Sequence, residues 1–454
     1  MTETADHSTE TAPLSTPKQI GVEAYISPEY ARAEAEKLWS KVWQQVGRVE
    51  EIPRVGDFLT YEIMDESIIV ARTAEHTLRA YYNVCAHRGR RLVDIAPGAH
   101  DARGSRKQFV CGFHGWRYDI EGNNTFVPER EDWNCKLTER DGLTRVRVDT
   151  WGGWIWINLD PEAEPLRSYL EPAATLLEHF ELEKMRYRWR RWVEFDCNWK
   201  VAFEAFMETY HVPYTHPEFA NFGSFLGWAR AQGKHSNIGY DAPKGMEENQ
   251  AKLRVGGGAD ARISTATLQN FTWENANTNT TRTLVDVANR LVDELPEGTP
   301  SDQVLRYWLD TARAEDQARG VEWPKVDPAI VAESGTAWQI FPNFQIGHAV
   351  NNMLCYRFRP LGADPGKCIF EAAVFELFPE GQEPETEWIH TPVGDPGWRT
   401  VLPQDFDNMA AVQQGMRSRG FSGAKPNPYR ERSVVNLHHN LARYMGTGEP
   451  TDLP

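Results

Sequence analysis

Two short segments of the sequence each offer one cysteine and one histidine within a few residues. The first is Cys85-Ala86-His87, and the second is Cys111-Gly112-Phe113-His114. A [2Fe–2S] cluster that carries two thiolates on one iron and two imidazoles on the other needs one ligand of each type from each segment. The same four ligands could also close a tetrahedron around Zn²⁺. A structural zinc site is therefore the alternative on ligand types alone.

The residues around these segments favour the iron–sulfur cluster over zinc. Apolar and aromatic stretches that predict β-strands, Ala80–Val84 and Phe109–Val110, lead into the two segments. The motifs C-x-H-R-G, from Cys85 to Gly89, and C-x-x-H-G-W, from Cys111 to Trp116, resemble those of the Rieske domain of ring-hydroxylating oxygenases. The stretch between the motifs is longer than is usual in that family, and its polar part, residues 98–107, predicts a surface insertion.

A second pair of histidines, His211 and His216, follows Glu208 in a segment with helical periodicity. Two imidazoles and a distant carboxylate are the ligands that non-haem Fe(II) uses when it keeps positions open for O₂ and substrate. Residues five apart on a regular helix diverge by about 140°. Pro213 should end the helix at the preceding residue, so that a loop can return His216 toward His211. Taken alone, such a pair of histidines is as often structural as metal-binding.

The whole stretch from Asn198 to Pro217, with its N-W-K opening and its carboxylate-x-x-His-x-x-x-x-His core, resembles the iron-binding segment of the same oxygenase family. The resemblance implies that His211 and His216 bind iron. It also implies that the third ligand is Asp405, in a late predicted helix, with Asp407 as the alternative. Either acid could instead only cap or solubilise the start of that helix.

The resemblance also implies a role for Glu208. In that family, the acid at this position connects a cluster histidine of a neighbouring subunit to an iron histidine and so provides the electron path. Most ring dioxygenases have aspartate here, whereas glutamate is typical of the subgroup that acts on quaternary amines. Ala205 is a second departure, because the family commonly has asparagine there. Asn198 and Tyr210 could support the iron site by hydrogen bonds or simply pack in the core.

The composition excludes several classes of function. A net charge of −16 argues against a nucleic-acid partner, whose phosphates require a basic surface. The mean hydropathy of −0.58 and the lack of a long apolar run argue against a membrane span. The sequence begins with polar residues that do not resemble a secretory signal, and we therefore expect a cytoplasmic protein.

The pattern of predicted elements divides the chain into four parts. We expect a disordered tail over residues 1–17, an N-terminal helix that packs on the catalytic domain over residues 18–45, a β-rich Rieske domain over residues 46–165 and a catalytic domain over residues 166–454. Predicted helices run over residues 28–42, 169–180, 199–210, 284–295, 403–418 and 433–445, and predicted strands over residues 58–63, 154–159, 188–196, 338–341, 354–359 and 369–378. The fold class is therefore α+β, with an antiparallel sheet and helices on one face in the C-terminal part. The resemblance implies a helix-grip architecture for that part.

The resemblance extends from about residue 20 to 450 and implies the catalytic α subunit of a Rieske non-haem iron oxygenase. Such an enzyme uses O₂ and electrons from a NAD(P)H-dependent reductase or ferredoxin to hydroxylate an aromatic or similarly apolar small molecule. Oxidative N- or O-dealkylation, including that of quaternary amines, is the alternative, and a non-catalytic electron carrier is the third hypothesis. The implied assembly is a homotrimer, with or without a β subunit. Phe206 and Met207 are candidate pocket residues beside the iron, with others among residues 222–290, although both side chains could equally be core.

Overall fold

The computed structural model describes residues 16–134, 136–137, 141–222, 227–240, 256 and 258–453. The predicted disordered tail therefore lies outside the described residues except for Thr16 and Pro17. Part of the region expected to cover the pocket, residues 223–226, 241–255 and 257, also lies outside them.

The strands are, in chain order, β1 (Lys18–Gln19), β2 (Gln44–Arg48), β3 (Asp57–Ile63), β4 (Glu66–Ala74), β5 (Thr77–Tyr82), β6 (Arg103–Ser105), β7 (Gln108–Val110), β8 (Arg117–Asp119), β9 (Asn124–Phe126), β10 (Arg145–Trp151), β11 (Trp154–Asn158), β12 (Arg186–Phe195), β13 (Gly227–Gln232), β14 (His235–Tyr240), β15 (Ala337–Ile340), β16 (Phe344–His348), β17 (Asn352–Pro360), β18 (Cys368–Glu376), β19 (Ile389–His390) and β20 (Thr451–Asp452). The α-helices are α1 (Glu23–Ile26), α2 (Pro28–Glu34), α3 (Leu166–Leu170), α4 (Ala173–Leu177), α5 (Trp199–Glu204), α6 (Val212–Thr215), α7 (Ala261–Asn275), α8 (Arg282–Glu294), α9 (Ser301–Ala318), α10 (Pro328–Ser334), α11 (Val401–Met416) and α12 (Arg432–Met445).

Two large sheets form the framework. The N-terminal sheet has the strand order β2-β11-β10-β5-β4-β3-β6, and the small sheet β7-β8-β9 lies beside it. The C-terminal sheet has the order β13-β14-β15-β16-β17-β18-β12-β19 and is antiparallel except where β12 and β19 run parallel. The α+β class is thus confirmed, with a β-rich N-terminal part and an antiparallel sheet with helices in the C-terminal part.

The two large sheets are joined by aromatic and ionic contacts. Phe344 on β16 packs edge-to-face against Trp154 and Trp156 on β11, at centroid distances of 5.3 and 5.8 Å. Arg357 on β17 donates a 2.9 Å hydrogen bond to the carbonyl of Gln45 on β2. One face of the C-terminal sheet is therefore occupied by the N-terminal sheet, which leaves its other face for helices.

The N-terminal helix begins as the sequence predicts. The hydroxyl of Ser27 accepts a 3.1 Å hydrogen bond from the backbone N–H of Tyr30, and Pro28 stands at the first helical position. The helix widens into a π-turn over Ala35–Trp39 and ends there, slightly before the predicted end at residue 42. Trp39 then packs edge-to-face on Trp199, which ties this segment to α5.

The helix predicted over residues 199–210 begins at Trp199 as expected, but its predicted end is wrong, because α5 ends at Glu204. The carboxylate of Glu208 accepts hydrogen bonds from the backbone N–H groups of Tyr210 and His211, which gives these groups acceptors outside a helix. Pro213 does not end a helix either. It stands in the first turn of α6, where its missing N–H group has no cost.

Other boundaries follow the sequence more closely. Apart from residues 80–84, which are replaced by β5 from Thr77 to Tyr82, the predicted strands are observed within two residues at each end, as are the predicted helices at 284–295, 403–418 and 433–445. The predicted helix at 169–180 is interrupted at Pro172, which lacks the donor that a continuous helix needs. The hairpin β13–β14 and the helices α7 and α9 were not predicted. Within the described part of the chain, no helix is long and apolar enough to cross a membrane.

Candidate metal centres

The two Cys/His segments are built on the same backbone pattern. In the first, the N–H of Cys85 donates to the carbonyl of Arg90 and the N–H of Gly89 donates to the carbonyl of Cys85. In the second, Cys111 makes the same two hydrogen bonds with Trp116 and Gly115. Gly89 and Gly115 have φ values of 72° and 74°, a left-handed conformation that glycine adopts without strain. Each segment, which we call a hook, is thus closed by its own main chain.

The hooks bring the four candidate ligands into two pairs. The His87 and His114 rings lie 4.6 Å apart between centroids, and the thiols of Cys85 and Cys111 are close enough to affect each other's pKa. The ring of Trp116 stacks on His87 at 5.1 Å and holds its orientation. The Nδ1 atom of His87 is buried and has no hydrogen-bond partner among the described residues. A buried nitrogen without a partner, next to a second imidazole and a thiol pair, is consistent with a metal-ligand atom.

The surroundings of the two thiols differ, since burial raises the pKa of Cys85 overall, whereas that of Cys111 is lowered. Burial raises the pKa of the Cys111 thiol, but the backbone N–H groups of Phe113 and His114 outweigh this effect and lower its pKa overall. The hydroxyl of Tyr118 lies 3.2 Å from Cys85 Sγ and accepts a hydrogen bond from the N–H of Ala86, so its own proton is available to the sulfur. Tyr118 was not among the residues predicted from the sequence, although it lies on β8, just after the second motif.

A second constellation lies in the C-terminal part. Ligand atoms of His211, His216 and Asp405 all lie within 4.8 Å of one another. The Nε2 atom of His216 is 3.0 Å from Asp405 Oδ1, and that of His211 is 3.5 Å from the same oxygen. Asp405 lies in the second turn of α11 and is buried, whereas Asp407 is exposed. The structure therefore brings Asp405, and not Asp407, to the two histidines.

The other ring nitrogen of each histidine is held by a side chain. Glu208 Oε1 lies 2.5 Å from His211 Nδ1, and Gln404 Oε1 lies 2.6 Å from His216 Nδ1. Gln404 in turn donates from Nε2 to Glu218 Oε1 at 2.7 Å, which fixes the orientation of its amide. Partners of this kind orient imidazoles so that Nε2 faces a metal. Sequence reasoning identified Glu208 but missed Gln404 and Glu218.

Charge balance at this site follows from these contacts. Burial alone would lower the pKa of the His211 imidazole, but the hydrogen bond and charge of Glu208 raise it overall. Burial also lowers the pKa of the His216 imidazole, but the hydrogen bond and charge of Asp405 raise it overall. Two imidazoles and one carboxylate on one side of a site form the donor set typical of non-haem Fe(II) with open positions.

The remaining candidate residues separate into two groups. Phe206 is buried and packs on Tyr356, with 4.6 Å between the ring centroids, and its neighbour in the chain, Met207, is also buried. Asn198 caps α5 and donates to the carbonyls of Tyr25 and Pro365, so it holds the framework and does not contact the histidines.

Comparisons with known proteins agree with this division of the chain. Residues 42–139 match the family model of the Rieske [2Fe-2S] domain, and residues 182–447 match that of the ring hydroxylating alpha subunit (catalytic domain). The chain is 32% identical over 209 residues to the methanesulfonate monooxygenase hydroxylase subunit alpha of Methylosulfonomonas methylovora, covering 44% of this chain and 50% of the relative. It is 34% identical over 195 residues to the biphenyl 2,3-dioxygenase subunit alpha of Rhodococcus jostii (strain RHA1), covering 41% of each. It is also 30% identical over 191 residues to the carnitine monooxygenase oxygenase subunit of Escherichia coli (strain K12), covering 41% of this chain and 49% of the relative.

The matched stretch thus spans half or less of the curated relatives. Solved structures match over more of the chain at lower identity. A quaternary ammonium Rieske monooxygenase in complex with L-carnitine superposes with a TM-score of 0.64 at 17% identity, covering 95% of this chain and 96% of that one. Naphthalene 1,2-dioxygenase with bound indole gives a TM-score of 0.63 at 18% identity, covering 96% and 94%. At such identities these structures show the fold alone.

Proposed function

Because the chain belongs to the family of Rieske oxygenases with a ring-hydroxylating alpha-subunit catalytic domain, we propose that it is the oxygenase component that inserts oxygen from O₂ into a small, largely apolar molecule. The observation that carries this proposal is the convergence of His211, His216 and Asp405 in the same chain as the two hooks. A simple electron carrier would need the hooks and would have no use for the second site.

Each site is assigned its own group. Cys85, His87, Cys111 and His114 would hold the [2Fe–2S] cluster, and His211, His216 and Asp405 would hold iron. When bound, the cluster supplies single electrons and the iron supplies the chemistry that activates O₂. The protein's own contribution is to orient the imidazoles through Glu208 and Gln404. We assign the cluster to a domain of residues 46–165 and the iron to a domain of residues 166–454.

The assembly proposed is a homotrimer in which the cluster of one subunit faces the iron of its neighbour. Phe113, beside the cluster histidines, is 56% exposed, and Tyr214, between the iron histidines, is 82% exposed. Large aromatic side chains exposed at both sites are consistent with surfaces that meet in an assembly. Glu208 lies between His211 and the exposed Tyr210, a position from which it can pass electrons between subunits. A reductase or ferredoxin would deliver the electrons.

For the reaction itself, hydroxylation of an aromatic or similarly apolar molecule is the first candidate, since Phe206 and Met207 give the site an apolar wall. Oxidation of a small amine, with loss of an alkyl group, is the second. The glutamate at position 208 favours it, as do relatives that include carnitine and glycine betaine monooxygenases.

Metal analysis of anaerobically purified protein tests the two-site proposal. We expect about three irons and two acid-labile sulfides per chain. His211→Ala should lose about one iron and keep its sulfide, whereas the matched control His76→Ala, at an exposed position, should lose none. About two irons that His211→Ala does not change would favour an electron carrier, and zinc without sulfide would rule out the cluster. Product formation from candidate substrates, with a generic reductase, then separates hydroxylation from dealkylation.

A further inference from the structure

The C-terminal sheet carries a row of polar side chains on the face nearest the candidate iron site. Ser236, Gln339, Gln345 and Tyr356 are direct cross-strand neighbours on β14, β15, β16 and β17. Directly opposed residues of antiparallel strands lie on the same face, so the four side chains form one row. The contact of Tyr356 with Phe206 shows that this is the face toward the segment of Glu208 and His211.

The helices on this face contact the strands at the two ends of the row. α12 packs on β13 and β14, and α5 packs on β17 and β18. Within the described ranges, no helix packs extensively on β15 or β16. The segment that follows α5 crosses toward α12, since the Ser433 hydroxyl donates a 2.6 Å hydrogen bond to the carbonyl of Met207. Gln339 and Gln345 therefore lie in the part of this sheet face that the segment crosses.

Both glutamines are buried, with exposed fractions of 2% and 6%. The Ser236 hydroxyl donates to Gln339 Oε1 at 2.9 Å, which leaves Gln339 Nε2 as a donor. That nitrogen and the Oε1 atom of Gln345 are buried and have no hydrogen-bond partner in the described part of the chain. Buried amide groups are almost always paired, and one group that both accepts and donates could pair with this donor and this acceptor, because they lie on adjacent strands.

We propose that Gln339 and Gln345 anchor the polar end of the substrate. The amide N–H of one and the amide oxygen of the other suit a neutral group that accepts and donates at once, such as a hydroxyl or a carboxamide. The row contains no lysine, arginine or histidine, so a carboxylate would have no counter-charge on it. The substrate class is therefore an apolar molecule with an uncharged hydrogen-bonding group on the side away from the oxidised carbon. This assignment rests on the proposed function, because it takes the region between this sheet face and the iron ligands to be the substrate site.

Three probes that share one ring system test the anchor. Naphthalene, 2-naphthol and 2-naphthoate are titrated calorimetrically into the anaerobic holoenzyme, so that binding is measured without turnover. We expect 2-naphthol to bind about tenfold more tightly than either of the others, the effect of one well-placed pair of hydrogen bonds. Gln339→Leu and Gln345→Leu should remove this preference while still binding naphthalene. Gln345→Glu keeps an acceptor oxygen at the same place and should retain the preference.

Gln303→Leu, the same change at an exposed position on α9, is the matched control and should behave as the parent protein. Circular dichroism and iron content establish that each variant is folded and loaded. The anchor would be overturned if all three probes bound equally or if none bound. It would also be overturned if both leucine variants kept the preference for 2-naphthol, because the unpaired atoms would then be satisfied by water. A preserved preference without oxygenated product after O₂ and reductant are added would count against the proposed function and leave the anchor standing.

Discussion

Replacing Glu371 by glutamine should destabilise the protein strongly, because this carboxylate balances two buried guanidinium groups. Glu371 is 5% exposed and accepts hydrogen bonds from Arg357 at 2.5 and 2.6 Å and from Arg359 at 3.1 and 3.3 Å. Each arginine also bonds a carbonyl of the N-terminal sheet, that of Gln45 or of Glu62, both at 2.9 Å. The network thus joins the two large sheets.

The expected magnitude follows from these contacts. Removing one partner of a buried ion pair commonly costs about 3–5 kcal/mol, because it leaves an uncompensated charge. Each arginine keeps a carbonyl acceptor after the substitution, so we expect the lower end, about 3 kcal/mol. At roughly 2–4 °C per kcal/mol, the melting temperature should fall by roughly 6–12 °C. Urea unfolding followed by far-ultraviolet circular dichroism and by the visible absorption of the cluster measures the loss in both parts of the chain.

The matched control is Glu29→Gln, which breaks a fully exposed pair with Arg32 and should leave the melting temperature unchanged. A loss for Glu371→Gln that does not exceed that of the control would refute the reasoning. The pH dependence supplies a second check. Although burial opposes it, the charges of the two arginines lower the pKa of Glu371 from 4.5 to about 2. Its stabilising contribution should therefore be complete above about pH 4.5 and be lost as the pH falls toward 2, a loss that Glu371→Gln should not show.

Three further outcomes are expected. Gln404→Leu should weaken iron retention about 10- to 100-fold in chelator dialysis, because His216 loses the acceptor for its Nδ1 proton, and the sulfide content should not change. The control Gln414→Leu, on the exposed side of the same helix, should retain iron. The Glu208→Gln variant should keep its iron and its cluster, and dithionite should still reduce the cluster. The amount of product formed should fall at least about tenfold, and a product yield equal to that of the parent protein would contradict the proposed role of Glu208. Tyr118→Phe should lower the reduction potential of the cluster in a spectroelectrochemical titration, since a hydrogen bond to a thiolate sulfur is lost; an unchanged potential would mean that the hydroxyl points elsewhere.

The features that could be predicted from the sequence are those encoded by neighbouring residues. Each hook lies within six residues, so its ligands and its glycine can be recognised together. Alternation and helical periodicity likewise located four strands of the C-terminal sheet, β12, β15, β17 and β18, and the helices α11 and α12. Asp405 was reached only through resemblance, because nothing local distinguishes it from Asp407; its burial beside the histidines depends on how α11 packs.

Other features depend on contacts between distant segments. The hydrogen bonds of Gln404 with His216 and Glu218 join residues that are far apart in the sequence, and no local sequence pattern predicts them. The row that includes Gln339 and Gln345 exists only through strand register, which the sequence pattern did not specify. The end of α5 at Glu204 was missed because the residues beyond it are good helix formers, and the competing hydrogen bonds of Glu208 become evident only in three dimensions.

The closure of both hooks by main-chain hydrogen bonds bears on how the cofactor is acquired. None of those four bonds involves a sulfur or an imidazole nitrogen. The geometry of each loop therefore does not depend on bonds to iron, and much of the entropic cost of gathering the ligands is met by folding itself. We expect the polypeptide to fold first and to receive its cluster afterwards from a scaffold protein that donates it. Folding of the chain and delivery of the cluster would then be separable steps in biogenesis.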